Sequence, residues 1–456
     1  MKVDAAEELP RADQAESAPH PRETAQVFGQ DAAERAFLDA YNSDRLHHGW
    51  LLTGPQGVGK ATLAWRIARF LLATPPAEDG LFGAPPPPKS LDIDPEHPVA
   101  HRIQALAEPG LASITRSYDD KGKMRGQIVV DDIRTLNRFF GLSATDGGRR
   151  VVIVDSADEM NVSAANALLK MLEEPPARTT ILLVSHKPSR LLPTIRSRCR
   201  SLRLAPLSPE AMQSALAQTG AGLPQNPDHL AALAQGSAGA ALRLLNLGGL
   251  EIYAELVRIL DTLPRLDRAR ALKLAEAAAA RGAADKFELL LTLMETALAR
   301  LARTGAAGQP PAPEAAPGEA AMLARLSPTP AKARAWANLA AEATQRARHG
   351  QAVNLDPAAL VLENRRQLTR QGLWRSAGDR DSDDRDPPDY RQPLPPRFPR
   401  LRRPAGCRHC PRRRCGRHPH GYHLHQAEER TVGARHRRSA RAGLLCRRHP
   451  PDERCG

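Results

Sequence analysis

A chain of 456 residues, 41% hydrophobic and 25% charged, has the length of two or three domains and a globular composition, not that of a disordered or fibrous protein. No apolar run reaches the about 18 residues of a membrane span, and the opening MKVDAAEELPRADQAESAPHP has no apolar signal core; both point to a soluble, cytoplasmic protein. The net charge of +14 suggests nucleic acid, but 15 Arg against four acidic residues between positions 401 and 456, a net +11, leave +3 for the first 400 residues, so bulk charge says little about DNA binding by the body.

Residues 1–22 are charged and Ala- and Pro-containing, without periodicity, and are predicted to be disordered. VFGQDAAERAFLDAY, from Val27, carries apolar residues at helical spacing. Trp50–Thr53 is the first predicted strand, followed by a Gly-rich turn and the amphipathic helix ATLAWRIARFLL. Residues 75–98 are a Pro-rich insertion, too Pro-dense for regular structure. Gln127–Val130 reads as a strand, with Asp131 or Asp132 capping a helix that runs to Phe140. Val151–Val154 is a continuous apolar run of the kind buried in a parallel sheet. Asn161 and Ser163 are candidate caps of the helix AANALLKMLEE, which Pro175 and Pro176 stop. Ile181–Ser185 and Ser201–Leu204 complete the strands. Alternating strands and helices over 23–205 predict an α/β domain with a doubly wound parallel sheet and ligands at the carboxyl ends of its strands.

After Pro206 the pattern is helical. Ser208–Gln218, Pro227–Ala234 and Gly236–Leu247 form a predicted small helical domain over 206–248. Longer helices over 249–372 form a third, interrupted by the linker-like TGAAGQPPAPEAAPGEAA. Residues 373–456 are dense in Arg, Pro, His, Gly and Cys and read as a disordered basic tail.

The chemistry concentrates in two places. Trp50–Thr62, WLLTGPQGVGKAT, is a phosphate-binding loop: Gly54, Gly57 and Gly59 shape it, backbone N–H groups and a helix N-terminus face the phosphates, and Lys60 neutralises them. A Ser or Thr directly after the lysine would hold Mg²⁺, but that position is Ala61, and Thr62 comes one residue late. The strand Val151–Val154 ends in Asp155, as a second metal-site motif should, yet the water-polarising Glu of many such ATPases is replaced by Ser156. The loop is compatible with ATP or ADP held without hydrolysis, and also with a turn that binds nothing; no metal is expected. Arg196-Ser197-Arg198-Cys199 follows the fourth strand. An arginine here is either a finger reaching the γ-phosphate of a neighbour's nucleotide or one of a solvated patch with Arg190, Arg196, Arg200 and Arg203.

The stretch from Val151 to Cys199, with ANALLKMLEEPP followed by SRC, resembles the clamp-loader AAA+ ATPases of bacterial DNA polymerase III, and within them the delta-prime subunits more than the gamma/tau motor subunits. That resemblance implies an AAA+ P-loop core, a small helical lid and an all-α collar domain. It gives Arg198 the role of a catalytic finger acting in trans, Cys199 a packing role, and Ser185 the sensing position at the end of the fourth strand. Motor subunits carry a lid arginine in Gly-Ser-x-Arg; here Gly236-Ser237-Ala238 is followed by Gly239. The zinc-binding cysteines of many relatives are missing between residues 70 and 125. Ala61, Ser156 and Gly239 together imply a protomer without ATPase activity of its own. It would be a stator in a hetero-pentamer with gamma/tau and delta subunits, loading a sliding clamp onto primed DNA as an accessory of the polymerase, a nucleotidyltransferase. The alternatives are an active gamma/tau-like ATPase using Thr62, and a nucleic-acid-binding protein acting through the basic tail.

Only Cys199 lies in the body, which excludes an internal disulfide there and fits a reducing compartment. In the tail, Cys407, Cys410, Cys415, His418, His420, His423 and His425 are of metal-ligand type, but their spacing fits no strict motif. Their composition is what GC-rich DNA encodes out of frame, so the tail reads as the product of a frameshift or read-through, with a basic DNA-binding arm as the alternative.

Overall fold

A computed structural model of the chain describes residues 11–352 apart from 16–17, 44, 75–85, 142–147, 223, 279 and 281–283. The tail and residues 75–85 of the Pro-rich insertion fall outside the described residues. Among the described residues no helix is long and apolar enough to cross a membrane.

The first half contains α1 (Asp31–Asn42), β1 (Gly49–Thr53), α2 (Lys60–Ala73), α3 (Pro98–Gln104), β2 (Leu111–Ile114), α4 (Val130–Gly141), β3 (Arg150–Val154), α5 (Val162–Glu173), β4 (Thr179–Ser185), α6 (Pro193–Ser197) and β5 (Arg200–Arg203). The strands form one sheet in the order β2-β3-β4-β1-β5. Every pairing is parallel, with Thr53 opposite Ser185 and Val154 opposite Leu183. Strand residues alternate between two cores because side chains point to opposite faces with period two. Trp50, Leu52, Val151, Ile153, Leu182 and Val184 pack on one side with Phe37, Leu63 and Ile67. Leu51, Val152, Val154, Ile181 and Leu183 pack on the other with Ile133, Leu168 and Ile195. The central strand β4 is buried at all seven positions, which explains its uninterrupted apolar sequence. A parallel sheet with β1 between β4 and β5, entering α2 through a glycine-rich loop, has the layout of a P-loop α/β core.

The helical half contains α7 (Pro209–Gln218), α8 (Pro227–Ala234), α9 (Ala238–Asn246), α10 (Gly249–Asp261), α11 (Arg268–Ala278), α12 (Ala284–Ala307), α13 (Glu319–Leu326) and α14 (Pro330–Ala352). Asn161, Ser208 and Ser237 cap α5, α7 and α9 through side-chain oxygens that accept backbone N–H groups, supplying partners for orphan donors. One apolar cluster runs from Leu207 to Leu339, so the predicted division at 248/249 is not a break in packing.

Three expectations need correction. Gln127–Val130 is not a strand: Val130 opens α4, and Ile128 makes only an isolated bridge to Met160. The strand at one sheet edge is Leu111–Ile114, where Leu111 and Ala112 are partly buried, Ser113 is exposed and only Ile114 is buried; an edge position demands no apolar run, which hid it. Within residues 11–22, His20 and Arg22 are packed rather than disordered. His20 is 2% exposed and stands edge-on to Trp65 with ring centroids 5.5 Å apart, and Arg69 donates to Arg22 O at 2.7 Å. The linker-like stretch is a folded loop, with Ala315 and Ala316 each 1% exposed. Within the Pro-rich insertion, residues 86–98 are described; Leu91 is buried there and Arg66 pairs with Asp92 at 2.8 Å.

Candidate functional site

The loop between β1 and α2 lies at the carboxyl end of the sheet. Gly54 has φ +145°, and a Cβ there would come within 2.4 Å of Leu204 O; only glycine fits. Gly59, at φ +94°, leads into α2, whose first residue is Lys60. The Lys60 side chain folds back over the loop, donating to Gly54 O at 2.9 Å and to Pro55 O. Burial lowers its pKa to about 8, against the opposing fields of Asp155 and Asp158. Thr62 is half-buried in α2, about 100° further round the helix than Ala61.

Asp155 follows β3 and is 8% exposed. Burial raises its carboxyl pKa to about 7. The nearby Asp13 carboxylate adds to the rise, while the Ser156 N–H and Lys60 oppose it. Ser156 adopts a left-handed conformation, φ +60°, and its hydroxyl lies 3.3 Å from His186 Nε2. His186 is held neutral, its pKa pushed down to about 4 by burial and then by Lys60. Asp158 fixes this corner by accepting the N–H groups of His186 and Lys187 at 2.9 and 3.1 Å. Ser185, at the end of β4, is 0% exposed, and its hydroxyl has no hydrogen-bond partner among the described residues. The fold thus brings Gly54, Gly57, Gly59, Lys60, Asp155 and Ser185 together at the carboxyl end of the sheet. His186 and Asp158 join them there; the only sequence signal for either was proximity to a strand end.

The start of α9 sits directly on the loop. Ser237 Oγ donates to Gln56 O at 2.8 Å, and Gly239 N donates to Gly57 O at 3.1 Å. A Cβ on Gly57 (φ +76°) would lie 2.4 Å from Ser237 Oγ and 2.9 Å from Gly239 Cα. Gly239, standing where motor subunits are expected to carry arginine, is thus half of a glycine-to-glycine contact, and a Cβ there would meet Gly57 Cα at 3.0 Å. Residues 25 and 26 also join the sheet half to α7. Arg66 donates to Ala25 O at 2.8 Å, and Gln26 and Gln218 exchange two hydrogen bonds of 3.1 Å. The residues fit the phosphates of a nucleotide through the loop and Lys60, but position 61 offers its metal no hydroxyl.

The buried carboxyl makes a testable difference. Its folded pKa of about 7 lies above the ordinary 3.8, so the folded state holds the extra proton between these values and its contribution to stability falls as pH rises through that window. His186 acts oppositely: the unfolded state holds the proton between about 4 and 6.5, so its contribution rises with pH there. Asp155→Asn removes only the first effect. Its stability relative to the parent chain should climb between pH 5 and pH 7, by an amount on the order of 1–3 kcal/mol. Urea titrations at the two pH values measure it; a flat or falling difference would contradict the assignment.

Arg198 lies elsewhere. It caps α6 and its guanidinium donates to Thr194 O at 3.1 Å and pairs with Glu173 Oε1 at 2.9 Å. Its carbonyl approaches Gly49, where a Cβ would come within 3.1 Å of it. Gly49 begins β1 and the phosphate loop follows the strand's far end. Four residue steps at about 3.3 Å each, about 13 Å along the strand, separate the arginine's turn from the loop. Cys199 is a free thiol whose pKa burial pushes up to about 12, which makes it a packing group and not a nucleophile. Arg200 places its guanidinium 5.2 Å from the centroid of Trp50.

The family model for the DNA polymerase III delta subunit matches residues 29–208. DNA polymerase III subunit delta' of Pseudomonas aeruginosa is 39% identical over 214 residues, 46% of this chain and 59% of that protein. Subunit delta' of Escherichia coli is 35% identical over 208 residues, 45% of this chain and 56% of that one. The gamma/tau subunit of Mycobacterium tuberculosis is 30% identical over 206 residues, 43% of this chain and 31% of its own length. The chain thus spans less than two thirds of the relatives it matches, and its likeness to delta' is higher in identity and coverage than its likeness to gamma/tau.

Proposed function

We propose that this chain acts as the delta-prime subunit of a bacterial DNA polymerase III clamp loader, in the cytoplasm. In this reading it is a stator that completes a neighbouring gamma/tau subunit's ATP site and hydrolyses nothing itself. The carrying observation is the separation of Arg198 from the chain's own phosphate loop by the length of β1, which leaves the arginine nothing to serve at that loop. The guanidinium fork would neutralise charge developing on the neighbour's phosphate oxygens during phosphoryl transfer to water. Helices α10–α14 would pack with the gamma/tau and delta subunits of a pentamer, which opens a sliding clamp and sets it on primed DNA.

The surroundings of the chain's own loop support this division of labour. Ala61 offers no metal ligand, the Ser156 hydroxyl is directed to His186, and Gly239 is engaged with the loop. The purified protein should therefore show no Mg²⁺-dependent ATP hydrolysis above background. Turnover near 1 s⁻¹ or faster, the range of working enzymes, would sink the stator reading.

A further inference from the structure

The guanidinium of Arg198 has two anchors on different elements. Thr194 O is on its own short helix α6, and the Glu173 carboxylate is the last residue of α5. Beneath the pair these elements are locked together. Leu172 is 1% exposed, and His48 Nε2 lies 3.0 Å from Leu172 O. A Cβ on Gly49 would meet Arg198 O and Leu172 Cδ2 at 3.1 Å and Cys199 Sγ at 3.3 Å. The backbone positions of residues 173 and 198 are thus set by close packing. The side chains above them are 43% and 37% exposed, and so open a pair contributes little to stability. Nor does α5 gain from Glu173, since a carboxylate at a helix C-terminus opposes the macrodipole. Nη1 donates to Thr194 O and Nη2 pairs with Glu173, and the guanidinium's other N–H groups are left for an incoming anion.

We infer that Glu173 is a positioning residue for Arg198, holding the guanidinium in the one orientation that presents its remaining donors to a nucleoside triphosphate bound by an adjacent subunit. This rests on the trans role of Arg198. Fixing one long side chain beforehand is worth about a two- to tenfold rate difference at the site it serves.

The test is single-turnover ATP hydrolysis by the loader reconstituted with gamma/tau and delta subunits. The phase lost in Arg198→Ala identifies the site this chain completes. Glu173→Ala should slow that phase about two- to tenfold with thermal unfolding unchanged, and Glu173→Gln, whose amide oxygen can accept from the same guanidinium, should recover most of the loss. The double variant Glu173→Ala/Arg198→Ala should be no slower than Arg198→Ala. The inference is overturned if Glu173→Ala leaves the phase at full rate, if Gln is as slow as Ala, or if the double variant is slower than Arg198→Ala. If Arg198→Ala loses no phase, the trans reading itself falls and the inference falls with it; that result differs from a normal Glu173→Ala phase beside a missing Arg198→Ala phase.

Discussion

Replacing Arg198 by alanine is expected to leave this subunit folded and able to join its partners, yet to slow ATP hydrolysis at one site of the assembled loader by a factor of up to about 10³ or more. The size follows from what the group does. A guanidinium is always charged and presents a planar fork that matches phosphate oxygens, and it acts where charge develops in the transition state. The folding prediction follows from exposure: the Arg198–Glu173 pair is over one third open on each side, and such pairs add about 0–1 kcal/mol. Other sites of the assembly continue to turn over, so the change is a lost kinetic phase and not a uniform slowing. Arg196→Ala, on the exposed side of the same short helix, is the control. Equal behaviour of the two variants, or a fully active complex with Arg198→Ala, would return the residue to a solvated basic patch.

Glu319→Ala should destabilise the helical half by about 3–5 kcal/mol, the loss seen when one partner of a buried ion pair is removed. Glu319 is 0% and Arg300 6% exposed. The carboxylate accepts from Arg300 Nε at 2.7 Å and Nη2 at 2.9 Å, from Tyr253 Oη at 2.6 Å and from Ala315 N at 2.6 Å. Arg300 Nη2 also reaches the carbonyls of Pro311 and Pro313 at 3.3 and 2.9 Å. This network fastens the Pro-rich loop between α12 and α13, and it joins α10 through Tyr253. Burial and the carboxylate together raise the Tyr253 phenol pKa, so it stays protonated and donating. Removing Glu319 leaves a buried guanidinium and a buried hydroxyl without their acceptor. Tyr253→Phe, which deletes a single hydrogen bond to a charged group, should cost less, about 1.5–3 kcal/mol. Urea unfolding of both variants checks the order; a Glu319→Ala loss below 1 kcal/mol would mean the loop is held by something else.

Much of the α/β half was legible from the sequence because burial on both faces of a parallel sheet writes uninterrupted apolar runs. Val151–Val154 and Ile181–Ser185 could hardly be anything else, and the loop that follows Trp50–Thr53 carries glycines at positions where a side chain would collide. The edge strand Leu111–Ile114 escaped because an edge, half-exposed, asks little of its residues. Residues 11–22 misled for the opposite reason: their polar composition hid one histidine that docks on Trp65. The stretch read as a linker carried proline and alanine in abundance, and nothing local announced that Arg300 and Glu319 would close over it.

By itself the sequence determined the order of elements, the phosphate loop with its missing hydroxyl at Ala61, and the arginine after the fourth strand, since each depends on residues a few positions apart. The tertiary structure decided which of these meet. Gly239 lies on Gly57, and Glu173 on Arg198, across separations of 182 and 25 positions in the chain. Arg198 and Lys60 lie at opposite ends of β1, a consequence of strand direction and sheet order. Residue periodicity records how deeply each position is buried, but not which distant partner buries it; that is set only when the strands choose their neighbours and α9 settles on the loop.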